Sequence, residues 1–260
     1  MSGSHGRATR IELMVCVAAR YLEDGATVVV GTGPPSAAAM LAQKTHAPRL
    51  VILFEAGGLG PVLPTMPISV GDSRTFHRAV LASSMTDIME LCQRGLADYC
   101  FLGGAQVDMY GNLNSTVIGD HTRPRVRLPG SGGANDLASL AWRTMMITLQ
   151  DPRRFVPRLD FVTTPGYLDG PGGRERAGLP PGTGPYKVIT DLCVIGFDAE
   201  TKRMKVESVH RGITRETVEK STGFPLLWPS EVPETPPPTT EELEVLRNEV
   251  DPYRYIIGRS

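Results

Sequence analysis

Cysteine is scarce: Cys16, Cys92, Cys100 and Cys193 are all that 260 residues hold, and no two stand in a CxxC spacing. A disulfide framework and the common zinc-ligand patterns are thereby excluded, and a reducing cytoplasm suits the chain. Long apolar runs are missing too. No stretch reaches the roughly 18 residues of a membrane span. Charge of one sign is missing as well. With 27 Lys and Arg against 28 Asp and Glu the formal net charge is −1, which leaves no basic excess for nucleic acid or an anionic membrane. The histidines His46, His77, His121 and His210 are scattered without HxH or HExxH spacing, so no metal site is expected. No GxxxxGK[ST] loop occurs, and neither Ser73 nor Ser84 stands in a GxSxG context. Gly31-Thr-Gly33 lacks the third glycine of a dinucleotide fingerprint. A tightly bound cofactor is not expected. Met1 to Arg10 is polar and small, with no apolar signal segment, and reads as a frayed start with an expression scar around Ser2–His5.

What is present is an ordinary globular composition, 41% hydrophobic and 21% charged, able to build a core of normal size. Ile11, Met14, Val15, Val17, Ala18 and Leu22 recur at helical spacing over Arg10 to Leu22, ended by Asp24-Gly25. Ala26 to Val30 is a β-branched run that predicts a buried strand and leads into Gly31-Thr-Gly-Pro-Pro35. Ser36 to His46 is Ala-rich and helical, with Pro48 beyond its end. Leu50 to Phe54 predicts a second buried strand, stopping at Glu55. Strand, Gly-rich turn, helix and strand in this order make a βαβ unit of a parallel sheet.

The pattern continues with a helix over Thr86 to Arg94, a strand over Tyr99 to Leu102 and a helix over Leu137 to Thr144. Short strands are expected at Phe161–Thr164 and Lys187–Thr190. Leu192–Phe197 and Met204–Val209 read as an antiparallel hairpin near a sheet edge. Pro229 to Thr240 holds five prolines and reads as an extended arm. A last helix opens at Thr239-Thr240-Glu241-Glu242, with a threonine cap and acids in its first turn. The expected architecture is α/β: a mostly parallel sheet flanked by helices, in a single domain over 8–228, followed by a Pro-rich arm and final helix over 229–260.

Three Gly-rich loops adjoin strands or helices: Gly31-Thr-Gly33, Gly103-Gly-Ala-Gln106 and Gly130-Ser-Gly-Gly-Ala-Asn135. Such loops lie at the carboxyl edge of a parallel sheet, where ligands bind, and their N–H groups can hold a phosphate or an oxyanion. They serve equally well as plain tight turns. Glu55 is the acid of interest. It follows a buried strand and precedes Ala56-Gly57-Gly58, so its backbone is fixed and nothing bulky follows it. Such a carboxylate can be a nucleophile toward an acyl carbonyl or a structural acid accepting loop N–H groups.

A collinear set of motifs completes the reading: Val30-Gly-Thr-Gly-Pro-Pro35, Ala47-Pro48, Ser69-Val-Gly-Asp72, Gly103-Gly-Ala-Gln-Val-Asp108, Gly111-Asn-Leu-Asn-Ser-Thr116, Gly130-Ser-Gly-Gly-Ala-Asn135, Thr164-Pro-Gly166, Asp169-Gly-Pro-Gly-Gly-Arg-Glu-Arg176 and Ser221-Thr-Gly-Phe224. Together these resemble the class I CoA-transferases, closest to the β subunit of the glutaconate type. The resemblance implies that Glu55 attacks the thioester of an acyl-CoA to form an acyl–glutamyl anhydride, that the CoA thiolate returns to give an enzyme–CoA thioester, and that an acceptor carboxylate then takes the CoA. Coenzyme A is thus a substrate. Such a pocket must exclude water, and its oxyanion donors contribute about 3 kcal/mol each. Gly31, Thr32, Gly33, Gln106, Ser131, Gly132, Gly133 and Ala134 are the residues expected to line it. The resemblance further implies an α subunit that supplies a second oxyanion loop, in a heterodimer assembling to a heterotetramer or heterooctamer; no GxGGF match for that loop occurs here. Two departures stand out. Ala56 replaces the small polar residue that usually follows the glutamate, and Gly57-Gly-Leu-Gly-Pro61 is unusually Gly-rich, which bears on acceptor choice. A CoA-ester hydrolase or decarboxylase on the same fold is the alternative, and a glutamate at this position argues for transfer.

Other residues read more plainly. Gln106, Asp108 and Asn112 suit side-chain-to-backbone bonding first and substrate contact second. His121 suits a surface loop, Cys100 the core, and Trp142, Met145 and Met146 packing on a helix. Arg174 and Arg176 are candidates for a carboxylate or phosphate, a loop anchor or a subunit interface, the last being favoured.

Overall fold

The computed structural model describes residues 8–258; the expectations for Met1–Arg7, including Ser2–His5, lie outside the described residues. By its contacts the chain forms two compact units, one made of Met1–Ile88 with Pro236–Ser260 and the other of Met89–Thr235.

The first unit begins with helix α1 (Arg10–Ala19), opened by a capping box in which the Thr9 hydroxyl and the Glu12 carboxylate satisfy one another's backbone N–H groups. Strand β1 (Thr27–Val30), helix α2 (Pro34–Lys44) and strand β2 (Val51–Phe54) follow as the expected βαβ unit. The two strands are parallel, with Val30 opposite Phe54. Strands β3 (Gly58–Leu59) and β4 (Leu81–Ala82) continue the sheet antiparallel, in the order β1-β2-β3-β4. Helix α3 (Met85–Gln93) follows β4. Helix α1 packs on α2, and both bury almost all of their apolar residues, so Val15, Ala18, Ala37, Leu41, Val28 and Ile52 form the middle of the unit.

The sheet of the second unit is built from β5 (Tyr99–Phe101), β10 (Arg143–Ile147), β11 (Gly184–Ile189), β12 (Cys193–Phe197) and β13 (Met204–Val209). Their order across the sheet is β13-β12-β11-β10-β5. Strands β5, β10 and β11 are parallel; β11, β12 and β13 are antiparallel, so the expected hairpin stands at the edge. Two short antiparallel pairs, β6 (Gln106–Val107) with β7 (Leu113–Asn114) and β8 (Val117–Ile118) with β9 (Val126–Arg127), complete the strands. Helices α4 (Ala134–Leu140), α5 (Gly173–Arg176) and α6 (Arg215–Lys220) are short. The core gathers Met146, Phe155, Val188, Ile195, Val206 and Phe224.

Two expectations are corrected here. The helix expected over Leu137–Thr144 stops at Leu140, and Arg143–Ile147 is strand β10. Met145 and Met146 are therefore strand residues, and Trp142 is a half-exposed link whose indole N–H donates to Gly95 O at 2.9 Å. A short apolar run flanked by two parallel strands is buried on both faces, so its spacing does not separate helix from strand. Phe161–Thr164 is not a strand; only Thr164 bridges, to Leu113. Residues 229–238 run extended as expected, with Glu234 bridging to Val209. They lead to helix α7 (Thr240–Val245), which Thr239 opens with a second capping box through Glu242. A turn of π-helix, Leu246–Val250, extends it, and both pack on the helices of the first unit. No helix among the described residues is long and apolar enough to cross a membrane.

Candidate active site

Glu55 follows β2 without a gap. Because Val30 and Phe54 are register partners in parallel strands, the next residues, Gly31 and Glu55, leave the sheet side by side at its carboxyl edge. Neighbouring strands lie about 4.8 Å apart, so the glycine loop and the glutamate are adjacent by construction. Ile52, Leu53 and Phe54 are buried, whereas Glu55 is half-buried. A buried strand thus fixes the backbone of a carboxylate that solvent and a ligand can still reach.

The turn that carries Glu55 is rigid. Gly57 N–H donates to Phe54 O at 2.9 Å, placing Glu55 and Ala56 at the centre of a four-residue turn. Gly57 has φ +117°, and a Cβ there would lie 2.0 Å from Ser83 O. A Cβ on Gly58 would lie 2.0 Å from Thr75 O. The two glycines are required because other backbone segments press against them. The sequence signalled close approach through the glycine pair itself, but Thr75 and Ser83, the residues that make the approach, were not legible in it.

Gly31, Thr32 and Gly33 join β1 to α2. Gly33, at φ +90°, caps the helix without a side-chain partner, and Pro34 and Pro35 follow with no N–H to offer. The N–H groups of Thr32 and Gly33 make no hydrogen bond among the described residues, so two backbone donors remain available beside Glu55. The chain's closing segment reaches this loop: Ile256 Cδ1 lies 4.0 Å from where a Cβ on Gly33 would stand. That segment is fastened by buried Asp251, whose carboxylate accepts the N–H groups of Tyr255, Ile256 and Ile257 at 2.7–3.0 Å.

The remaining expected site residues belong to the second unit. Gln106 is buried, its amide oxygen accepting from Asn114 Nδ2 at 2.7 Å and Asp160 N–H at 3.1 Å while its Nε2 donates to Asp160 at 3.0 Å. Every donor–acceptor direction it uses joins its own hairpin to residue 160. Its geometry is thus that of a structural amide, which corrects its place among the pocket-lining residues. Ser131, Gly132, Gly133 and Ala134 form the turn into α4. The Ser131 hydroxyl accepts from Asn135 N–H at 3.2 Å, and the loop is tied back where Ser115 Oγ donates to Gly130 O at 2.8 Å. Gly130 and Gly132 have φ +96° and +51° with open space around them, leaving this loop's outer face uncovered by the rest of the unit.

Asp108 and Asn112 are backbone organisers. Asp108 accepts from the N–H groups of Tyr110 and Asn112 and from Asn112 Nδ2. Asn112 Oδ1 accepts from Gly166 and Leu168 N–H at 2.8 and 3.0 Å. Arg174 is a loop anchor rather than an interface residue. Only 2% exposed, it donates to the carbonyls of Pro165, Gly166, Ala138 and Ser139 and to the Thr183 hydroxyl. His121 is exposed and stacks on Phe161. Cysteine chemistry does not compete with Glu55, because all four thiols are buried and none is in a disulfide. Burial pushes Cys16, Cys100 and Cys193 up to about 12 and Cys92 to about 11, so none is a thiolate near neutrality.

A reachable carboxylate at the carboxyl edge of a parallel sheet, beside free backbone donors, suits acyl transfer, and the likeness to known proteins points the same way. The chain is 43% identical over 237 residues to the β subunit of 3-oxoadipate CoA-transferase from Pseudomonas knackmussii, covering 91% of each chain. It is 38% identical over 254 residues to the β subunit of glutaconate CoA-transferase from Acidaminococcus fermentans, covering 96% of this chain and 95% of that one. The crystal structure of glutaconate coenzyme A-transferase from Acidaminococcus fermentans superposes with a TM-score of 0.91 at 36% identity, over 97% of this chain and 98% of that one. With the Coenzyme A transferase family model matching residues 11–221, the fold and the site just described belong together: this chain is a member of the coenzyme A transferase family, of the β-subunit type.

Proposed function

We propose that this chain is the β subunit of a transferase that moves coenzyme A between an acyl-CoA and a free dicarboxylic acid, with Glu55 as covalent carrier. The observation that carries the reading is Glu55 itself, held on a clamped turn beside the Gly31–Gly33 loop. The carboxylate attacks the thioester carbonyl, the C–S bond breaks, and an acyl–glutamyl anhydride and CoA thiolate result. The thiolate attacks the glutamyl carbonyl and releases the first acid, leaving CoA on Glu55 as a thioester. The incoming carboxylate reverses these steps and departs as the new acyl-CoA. Atoms and charge balance without water, so water must be kept out of the anhydride stage. The N–H groups of Thr32 and Gly33 are suited to the oxyanion of the tetrahedral stages.

A dicarboxylate acceptor is supported by the two relatives, which are named for 3-oxoadipate and glutaconate. Their designation as one of two kinds of subunit supports a separate α subunit here, in a heterotetramer or heterooctamer working in the cytoplasm without a bound cofactor. The test is to incubate the two-subunit complex with acyl-CoA and then with borohydride or hydroxylamine, followed by peptide mass spectrometry. Modification confined to Glu55, CoA exchange into a free acid and at least a thousandfold loss of rate in Glu55→Gln, on the scale of removing a nucleophile, are expected. Acyl-CoA hydrolysis that ignores the acceptor would sink the proposal in favour of a hydrolase.

A further inference from the structure

Glu55 is held through its backbone, and the holding atom is one carbonyl. Gly57 O receives two hydrogen bonds from the same residue: Ser83 N–H at 3.0 Å and Ser83 Oγ–H at 2.9 Å. Both lone pairs of that oxygen are thereby taken. Ser83 is itself pinned on both sides. Before it, β4 is registered on β3, with Ala82 opposite Gly58 and Leu81 opposite Leu59. After it, Ser84 and Asp87 cap α3 reciprocally, Ser84 N–H donating to Asp87 at 2.8 Å and Asp87 N–H to Ser84 Oγ at 3.2 Å. On the other face Thr75 O closes on Gly58. A turn this short, gripped at Gly57 and closed onto Phe54 O, leaves the Glu55 backbone little freedom.

Building on the covalent role given to Glu55, we propose that Ser83 is a positioning residue for that carboxylate: its hydroxyl keeps the Phe54–Gly57 turn in the geometry from which Glu55 reaches the thioester carbonyl. Ser83 touches neither substrate nor reacting atoms, and its effect passes through Gly57 O. Removing the hydroxyl leaves the Ser83 N–H bond, so the turn loosens without collapsing. A misplacement of tenths of an ångström lowers the rate of attack and leaves substrate affinity alone.

The experiment compares Ser83→Ala and Ser83→Thr in the assembled two-subunit complex. Turnover is normalised to the number of Glu55 side chains that borohydride labels in the presence of acyl-CoA, so misfolded protein is not counted. Ser83→Ala is expected to lower kcat per labelled site about tenfold with KM for acyl-CoA within about twofold; Ser83→Thr, which restores the hydroxyl, returns kcat to within about twofold of wild type. Unchanged kcat per labelled site in Ser83→Ala overturns the role, as does a loss carried wholly by KM or a loss that Ser83→Thr leaves uncorrected. Absence of label from Glu55 in the wild-type complex overturns the transferase reading and this role with it, whereas normal labelling with unaltered turnover overturns this role alone.

Discussion

The first unit fastens its closing segment with opposite charges, whereas the second fastens its loops with groups that meet neutral oxygens. In the first, the capping-box glutamate of α1 pairs with an arginine near the chain's end, Glu12 with Arg247 at 2.6 Å, and the capping-box glutamate of α7 pairs with Arg20 at the end of α1, also at 2.6 Å. Each helix thus lends its N-terminal acid to the other's arginine. Arg20 also donates to the carbonyls of Pro236 and Pro237, which fixes the end of the Pro-rich segment. In the second unit Arg174 meets five neutral oxygens, and Gln150 accepts from the Thr190 hydroxyl while donating to that of Thr222. Opposite charges tie a distant segment down but titrate and feel salt. Amide and hydroxyl networks resist both, but leave orphaned groups when any member is lost.

The strongest break in this comparison should come from Arg174→Met. It leaves several buried carbonyls without a donor, and a loss of about 4 kcal/mol is expected in the second unit, read by urea unfolding of the complex. Glu12→Gln comes next. The glutamate is 1% exposed, and losing its charge strands Arg247, at a cost of about 3 kcal/mol. Hydrogen exchange should show that loss in α1 and in 240–250, while 160–190 stays protected. Equal loss of protection in both regions would erase the distinction.

Acid should separate the units more gently. Burial works to raise Glu12 and Glu242, but the bonds from Arg247 and Arg20 outweigh it and hold both below the usual carboxylate range. Their stabilisation is full above the unfolded value near 4.5 and is lost as pH falls through it. In the second unit burial lowers the pKa of His210. Its Nε2 must carry the proton, since it faces Thr190 O at 2.8 Å, and its Nδ1 is buried without a partner among the described residues. A base held neutral in the folded state stabilises fully above its unfolded value near 6.5 and less below it. Asp108, raised by burial, leans the other way. Exchange at 189–211 should therefore rise from about pH 6.5 downward and that at α1 and α7 only below about pH 4.5. The smallest effect is salt. Arg49 and Asp24 form a surface pair at 2.8 Å, and Arg49→Ala should leave the melting temperature almost unchanged in about 0.5 M NaCl, since exposed pairs are screened.

Much of this was legible in the chain. The β-branched runs before Gly31 and Glu55 are buried parallel strands because both faces of such strands must be apolar. Thr239 is a cap because a hydroxyl followed three residues on by Glu242 satisfies the first free N–H groups. Glu55 could be singled out because an acid ending an apolar strand has few structural uses. The strand at Arg143–Ile147 was not legible, because a short apolar run has no period of its own. Nor was the role of Gln106, whose partner Asp160 lies more than fifty residues away.

Sequence by itself determined the order of strands and helices, the glycine loops and the position of Glu55 at the end of a buried strand, since these follow from local pattern and backbone chemistry. Only the tertiary structure decided what grips the Glu55 turn, which arginine is a loop anchor, and that residues 236–260 join the first unit. Those choices depend on which distant carbonyl or carboxylate reaches bonding distance once the core has packed, and no local spacing encodes that meeting.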